Sequence, residues 1–171
     1  MTVALDTMAL IWGIQRGGNP KQTNLREMHY RAHILIEILE DAGDKICIPC
    51  IAVSELLVKV ATLDHPNFIA ALQKNFFCPP FDIRASELAA KLFLEHKKLP
   101  TDDQTGRTTL KSDLMIVATA RIAGADAFYS NDKRCRKLAS LAGMPARDLP
   151  TKHPDLFHDV DLRKKFGLPA A

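Results

Sequence analysis

The chain has 171 residues, enough for one domain with a real core, and its 47% hydrophobic and 25% charged residues exclude a disordered or fibrous polymer. No apolar run reaches the ~18 residues that a membrane span needs. The net charge of +3 is unevenly placed: residues 1–90 carry 8 Lys/Arg against 10 Asp/Glu, and residues 91–171 carry 15 against 10. A basic second half suits a polyanionic partner, and a solvated Lys/Arg surface gives the same count.

The sequence does not open with a basic segment followed by an apolar core, so no secretion signal is expected. The four cysteines then read as reduced thiols of a cytoplasmic protein.

Val3-Ala4-Leu5 is a short continuous apolar run that suits a strand buried on both faces. Asp6 and Thr7 follow it. Met8 to Arg16 reads as a helix with Met8, Ile11 and Trp12 inward, broken by Gly17-Gly18-Asn19-Pro20. Thr23 or Asn24 can cap the next helix, Leu25 to Asp41, whose Ile34, Leu35, Ile38 and Leu39 recur at helical spacing. Lys45 to Ile48 is a strand halted by Pro49, and Ile51 to Leu63 an amphipathic helix carrying Ser54 and Glu55.

Asp64-His65-Pro66 starts a helix that runs to Asn75. Phe81-Asp82-Ile83 reads as an edge strand, and Ser86 as the cap of a helix from Glu87 to Lys98. A polar loop from Pro100 to Arg107 precedes the most apolar helix, Leu110 to Ile122, which carries Asp113. Ala127 to Tyr129 is a strand, Ser130-Asn131-Asp132 follows, and Lys133 to Leu141 is a basic helix. The expected order is β-α-α-β-α-α-β-α-α-β-α. Alternation of this kind predicts an α/β fold with a parallel sheet and helices on its faces. Residues 1–150 form one expected domain, and residues 151–171 an expected tail with a short helical piece near Asp159 to Phe166.

Four acids fall where strands end or helices begin: Asp6, Glu55, Asp113 and Asp132. In a parallel sheet those places meet at one edge, so the four carboxylates can converge. Each has a plain alternative. Asp6 and Asp132 can be helix caps, Asp113 can complement a helix dipole, and Glu55 can face solvent. Asp113 argues most strongly for chemistry, because it shares a stripe with Ile116, Val117 and Ala120 and a charge there must be compensated. Clustered carboxylates without a neighbouring cation repel each other unless a divalent metal neutralises them. Their hard oxygens suit Mg²⁺ or Mn²⁺, which can activate a water against a phosphodiester.

The pieces Val3-Ala4-Leu5-Asp6-Thr7, Pro49 with Ser54-Glu55-Leu56, Lys111 to Ala120, and Tyr129-Ser130-Asn131-Asp132 together resemble the PIN-domain nucleases. The resemblance implies a three-layer α/β/α fold with a central parallel sheet and metal-dependent endoribonuclease activity on RNA. It also implies that Asp6, Glu55, Asp113 and Asp132 hold Mg²⁺ or Mn²⁺, with Ser130 orienting a water or an acid, Asn131 assisting and Thr7 beside the site. Small stand-alone members of this kind are often VapC-type toxins, homodimers inhibited by an antitoxin protein. The length of this chain departs from that pattern, in the loops near Gly17 to Asn24 and Pro100 to Thr109 and in the tail. The alternatives within the family are an RNA-processing or RNA-decay nuclease and a catalytically weak RNA-binding protein.

Other readings fit less well. Cys47-Ile48-Pro49-Cys50 matches a C-x-x-C redox pattern, but Cys47 falls in an apolar strand, and two buried thiols are the simpler account. Adding Cys78 and Cys135 gives no zinc spacing. A haloacid-dehalogenase-like phosphatase needs a second Asp where Met8 stands, and a response-regulator receiver needs adjacent acids at the first strand.

Overall fold

The computed structural model describes residues 1–14, 23–98 and 107–150. Its centre is a sheet of parallel strands, β1 (Thr2–Leu5), β2 (Lys45–Cys47), β3 (Ala127–Tyr129) and β4 (Ala146–Arg147), in the spatial order β2-β1-β3-β4. β1 has a neighbour on each side, and Val3, Ala4 and Leu5 are buried. Enclosure on both faces is why this strand is uniformly apolar instead of alternating. The register sets Val3 beside Ile46 and Ala127, Ala4 beside Cys47 and Phe128, and Leu5 beside Tyr129.

Helices flank the sheet. α1 (Thr7–Ile14) packs on α2 (Thr23–Asp41), and Gly13 allows the close approach, since a Cβ there would run into the end of Ile36. α3 (Cys50–Leu57) and α4 (His65–Asn75) follow β2. α5 (Ile83–Lys97) lies along α6 (Arg107–Ile122), and α6 contacts both α3 and α7 (Lys133–Leu141). The result is a three-layer α/β/α arrangement. Val117, Ala118 and Ala120 of α6 and Phe128 and Tyr129 of β3 are among its most buried residues. Among the described residues no helix is long and apolar enough to cross a membrane.

The topology fixes where a site can form. From β1 the chain crosses through α1 and α2 to β2 on one side. It then returns past β1 through α3 to α6 and enters β3 on the other side. The connections leaving β1 and β3 therefore diverge, and a crevice opens at the carboxyl ends of these two strands.

Several local expectations give way. Phe81–Ile83 is not a strand: Asp82 is the N-cap of α5, its carboxylate accepting from the Ala85 N–H at 2.9 Å, and Ser86 lies inside the helix. The edge contact is made earlier, by Phe77, whose backbone pairs with Ile46 and Ile48 at 2.9 and 2.8 Å. The strand missing from the expected order is β4, two residues after Pro145, with too little apolar pattern to be read. α3 stops at Leu57, six residues early, where the His65 ring nitrogen lies 3.1 Å from both the Leu57 and Val60 carbonyls. A 3₁₀ turn at Thr62–Asp64 then leads into α4. Met8 faces out at 41% exposure, whereas Ile11 and Trp12 point inward. Cys47 is buried but Cys50 is exposed, so the two thiols do not share a buried site.

The end of the described chain is tied down by Arg31 of α2, a buried cation. Its guanidinium donates to the carbonyls of Pro150 (2.8 Å) and Leu149 and lies 3.2 Å from Asp148. The expected turn at Gly17 to Pro20, the loop acids Asp102 and Asp103, and the tail from residue 151 lie outside the described residues.

Candidate active site

Asp6 leaves β1 at the mouth of the crevice. Its backbone N–H continues the ladder to the Tyr129 carbonyl at 3.2 Å. Because Leu5 aligns with Tyr129, the next residues along, Asp6 and Ser130, stand side by side. Asp6 uses both carboxylate oxygens. Oδ1 accepts the Ala9 N–H at 2.7 Å and so caps α1, while Oδ2 accepts the Ser130 hydroxyl. Ser130 is fully buried, and its oxygen also accepts the Asp132 N–H at 2.9 Å.

Asp132 closes the β3–α7 turn and caps α7, its Oδ1 accepting from the Arg134 N–H at 2.7 Å. The side chain remains 49% exposed and marks the open side of the crevice. Asn131 lies between them, half-buried. Capping and convergence thus coexist for Asp6 and Asp132, since one oxygen serves the helix and the other faces the site.

Glu55 reaches the same place from α3. Its Oε2 accepts the Thr7 hydroxyl at 2.5 Å and its Oε1 accepts the Ser112 hydroxyl, so one carboxylate is held by donors from α1 and α6. It does not simply face solvent. The next residue on α6 is Asp113. This helix begins at Arg107, so Asp113 sits past its first turn, and placement at the positive helix end does not explain it.

The electrostatics show how near the four acids are. Burial pushes the Asp6 carboxyl up to about 6, against the pull of Ser130 and the Ala9 N–H, with the charges of Asp132 and Asp113 adding to the rise. Asp113 also rises to about 6, mainly by burial, opposed by Arg134 and reinforced by Asp132 and Glu55. Asp132 adds to both rises, Asp113 to that of Asp6 and Glu55 to that of Asp113, so these carboxylates sense their neighbours across the crevice. The buried Cys135 thiol beneath them is raised by burial and by the charges of Asp113, Asp6 and Asp132.

Sequence reasoning missed two participants. Ser112 was visible only as the neighbour of Asp113. Arg134 overturns the expectation that the acids lack a nearby cation: its Nε and Nη2 reach Asp113 Oδ2 at 3.0 and 2.7 Å, and Nη2 lies 3.4 Å from Asp132. The usable signal was an Arg two residues after a capping acid, positioned to fold back over the helix end. Among the described residues no group of three or more His, Cys, Asp or Glu side chains is placed to hold a metal ion as it stands.

The chain matches the PIN domain family over residues 3–141, a span that holds all four acids. Nothing among curated proteins matches it. Similar solved structures include VapBC2 from Rickettsia felis bound to a DNA fragment from the promoter, at 16% identity over 88% of this chain and 100% of that one, TM-score 0.58. DNA-bound VapBC from Salmonella typhimurium is similar at 18% identity over 88% and 99%, TM-score 0.57. VapBC-1 from nontypeable Haemophilus influenzae is similar at 16% identity over 87% and 98%, TM-score 0.57. By its parallel sheet, by the acids gathered at the carboxyl ends of β1 and β3, and by a family match across most of its length, the chain belongs to the PIN domain family.

Proposed function

We propose that this protein is a metal-dependent endoribonuclease and the toxin of a toxin–antitoxin pair. The observation that carries the reading is the gathering of Asp6, Glu55, Asp113 and Asp132 at the diverging ends of β1 and β3, where the charges of Asp132 and Asp113 add to the rise of the Asp6 carboxyl and those of Asp132 and Glu55 to the rise of Asp113. A family of nucleases on this fold sets the reaction class, and the VapBC complexes among the similar structures support an antitoxin partner.

Asp6, Glu55, Asp113 and Asp132 would hold the metal. The fit is chemical: the donors are all carboxylate oxygens, which suit Mg²⁺ or Mn²⁺, and their mutual repulsion is the charge imbalance that a divalent cation relieves. Bound there, the metal would supply a water acidic enough to act as hydroxide near neutral pH and positive charge for the phosphate oxygens. The protein supplies the rest. Ser130 fixes the Asp6 carboxylate, and Thr7 and Ser112 fix Glu55. Lys111, Lys133 and Lys137 are exposed on α6 and α7 and offer charge to an RNA backbone. A homodimer in the cytoplasm, as in the toxin pattern, completes the reading.

The test is cleavage of a mixed structured RNA by purified protein with Mn²⁺, with Mg²⁺ and with EDTA, beside Asp113→Asn. Cutting by the wild type only with metal, and none by the variant, is the expected result. Equal cutting in EDTA, or by the variant, would refute it.

A further inference from the structure

Arg134 is unused by the reading above, yet it occupies the centre of the site. It is the second residue of α7, and its side chain folds back over the helix end. Two of its nitrogens converge on one oxygen, Asp113 Oδ2, at 3.0 and 2.7 Å. The head is only 14% exposed, and Asp132 lies 3.4 Å from it on the open side. An Arg guanidinium stays charged at any working pH, so it cannot yield its place by losing a proton. Two N–H donors occupy the lone pairs of Oδ2, one of the two Asp113 oxygens that a cation could use.

We infer that Arg134 is a resident competitor for the metal: its guanidinium and a divalent cation exclude each other at Asp113, so Arg134 must swing out towards solvent before the site can be loaded. The inference rests on the metal-site reading above. It adds that the affinity of this site is set below what its acids alone would give, by a residue of the same chain.

Direct competition differs from general repulsion between like charges, and Lys133 separates the two. It precedes Arg134, carries the same charge and is exposed. The experiment is Mn²⁺ titration of the metal-free full chain at pH 8, read from the electron paramagnetic resonance signal of free Mn²⁺, for wild type, Arg134→Gln and Lys133→Gln. Competition predicts that Arg134→Gln tightens Mn²⁺ binding about tenfold, or ~1.4 kcal/mol, while Lys133→Gln changes it less than about threefold. If Arg134→Gln binds as the wild type does, or more weakly, the competition is wrong and the metal site stands. Equal tightening in both variants makes the effect general charge and also overturns the inference. If neither the wild type nor Arg134→Gln binds Mn²⁺, the inference and the metal-site reading fall together. Should Arg134→Gln fail to fold, Arg134→Lys decides: it keeps the charge but loses the two-nitrogen grip, and tightening of about threefold is expected. No tightening in that variant would overturn the inference.

Discussion

Replacing Asp6 by Asn should make the metal-free protein more stable while removing its activity. Asp6 is buried, and its carboxyl stands at about 6 against the ordinary 3.8. At ~1.36 kcal/mol per pH unit, keeping it ionised in the folded state costs roughly 3 kcal/mol at pH 8. The direction follows from the raised value. The folded state holds this proton more tightly than the unfolded one, so the contribution is full below 3.8 and is lost as the pH rises through about 6. Asn keeps the helix cap to the Ala9 N–H and can donate its amide to Ser130, at some cost for a buried amide. The net gain at pH 8 should be about 2 kcal/mol, or a rise in melting temperature of about 4–8 °C for a chain of this size. Thermal and urea denaturation in EDTA at pH 4.5 and pH 8 measure it. Wild type should weaken between the two, and Asp6→Asn should lack the part of that loss due to Asp6, the raised Asp113 carboxyl keeping the rest. Destabilisation by the variant at pH 8, or a difference between the proteins that does not change with pH, would refute the argument.

Ser130→Ala leaves both the Asp6 Oδ2 and the Asp132 N–H without their partner, and should cost roughly 1–3 kcal/mol in urea denaturation. Since Ser130 holds the Asp6 carboxyl down, its removal should also shift the acid limb of a pH–rate profile to higher pH. Glu55→Gln keeps one acceptor for the hydroxyls of Thr7 and Ser112 and loses the charge, so stability should fall by only about 1 kcal/mol while metal-dependent cleavage falls at least tenfold. Arg31→Ala removes the donors to Leu149 and Pro150. It should cost roughly 2–3 kcal/mol and speed hydrogen exchange at Ser130, whose N–H donates to Arg147 at 3.0 Å in β4.

What the sequence revealed depends on how local the signal is. β1 and β3 were legible because strands buried on both faces are uniformly apolar, and α7 because a capping acid precedes it. The four acids drew notice because Asp6 and Asp132 follow strands, Glu55 rides the helix after one, and Asp113 shares a stripe with Ile116, Val117 and Ala120. Short or edge elements were not. Phe81-Asp82-Ile83 looks like a strand until Asp82 is seen capping α5, and β4 has two residues whose pairing depends entirely on β3. Contacts between distant segments were also hidden. The Thr7 and Ser112 hydroxyls meet on Glu55 only once α1, α3 and α6 are packed. Arg134 is one of the 15 Lys/Arg residues of the second half, and an Arg side chain can reach several ways from one helix turn. Only the fold shows that it reaches Asp113.

The most direct test of the central claim is to cut RNA in ¹⁸O-labelled water with Mn²⁺ and examine the new ends. Attack by an activated water predicts one ¹⁸O atom on each new phosphate, cutting that survives a 2′-deoxy substitution at the cleaved position, and no product in EDTA or from Asp113→Asn. Unlabelled 2′,3′-cyclic phosphate ends formed in EDTA would contradict it, because the RNA's own 2′-hydroxyl would then be the nucleophile and the gathered carboxylates would have another purpose.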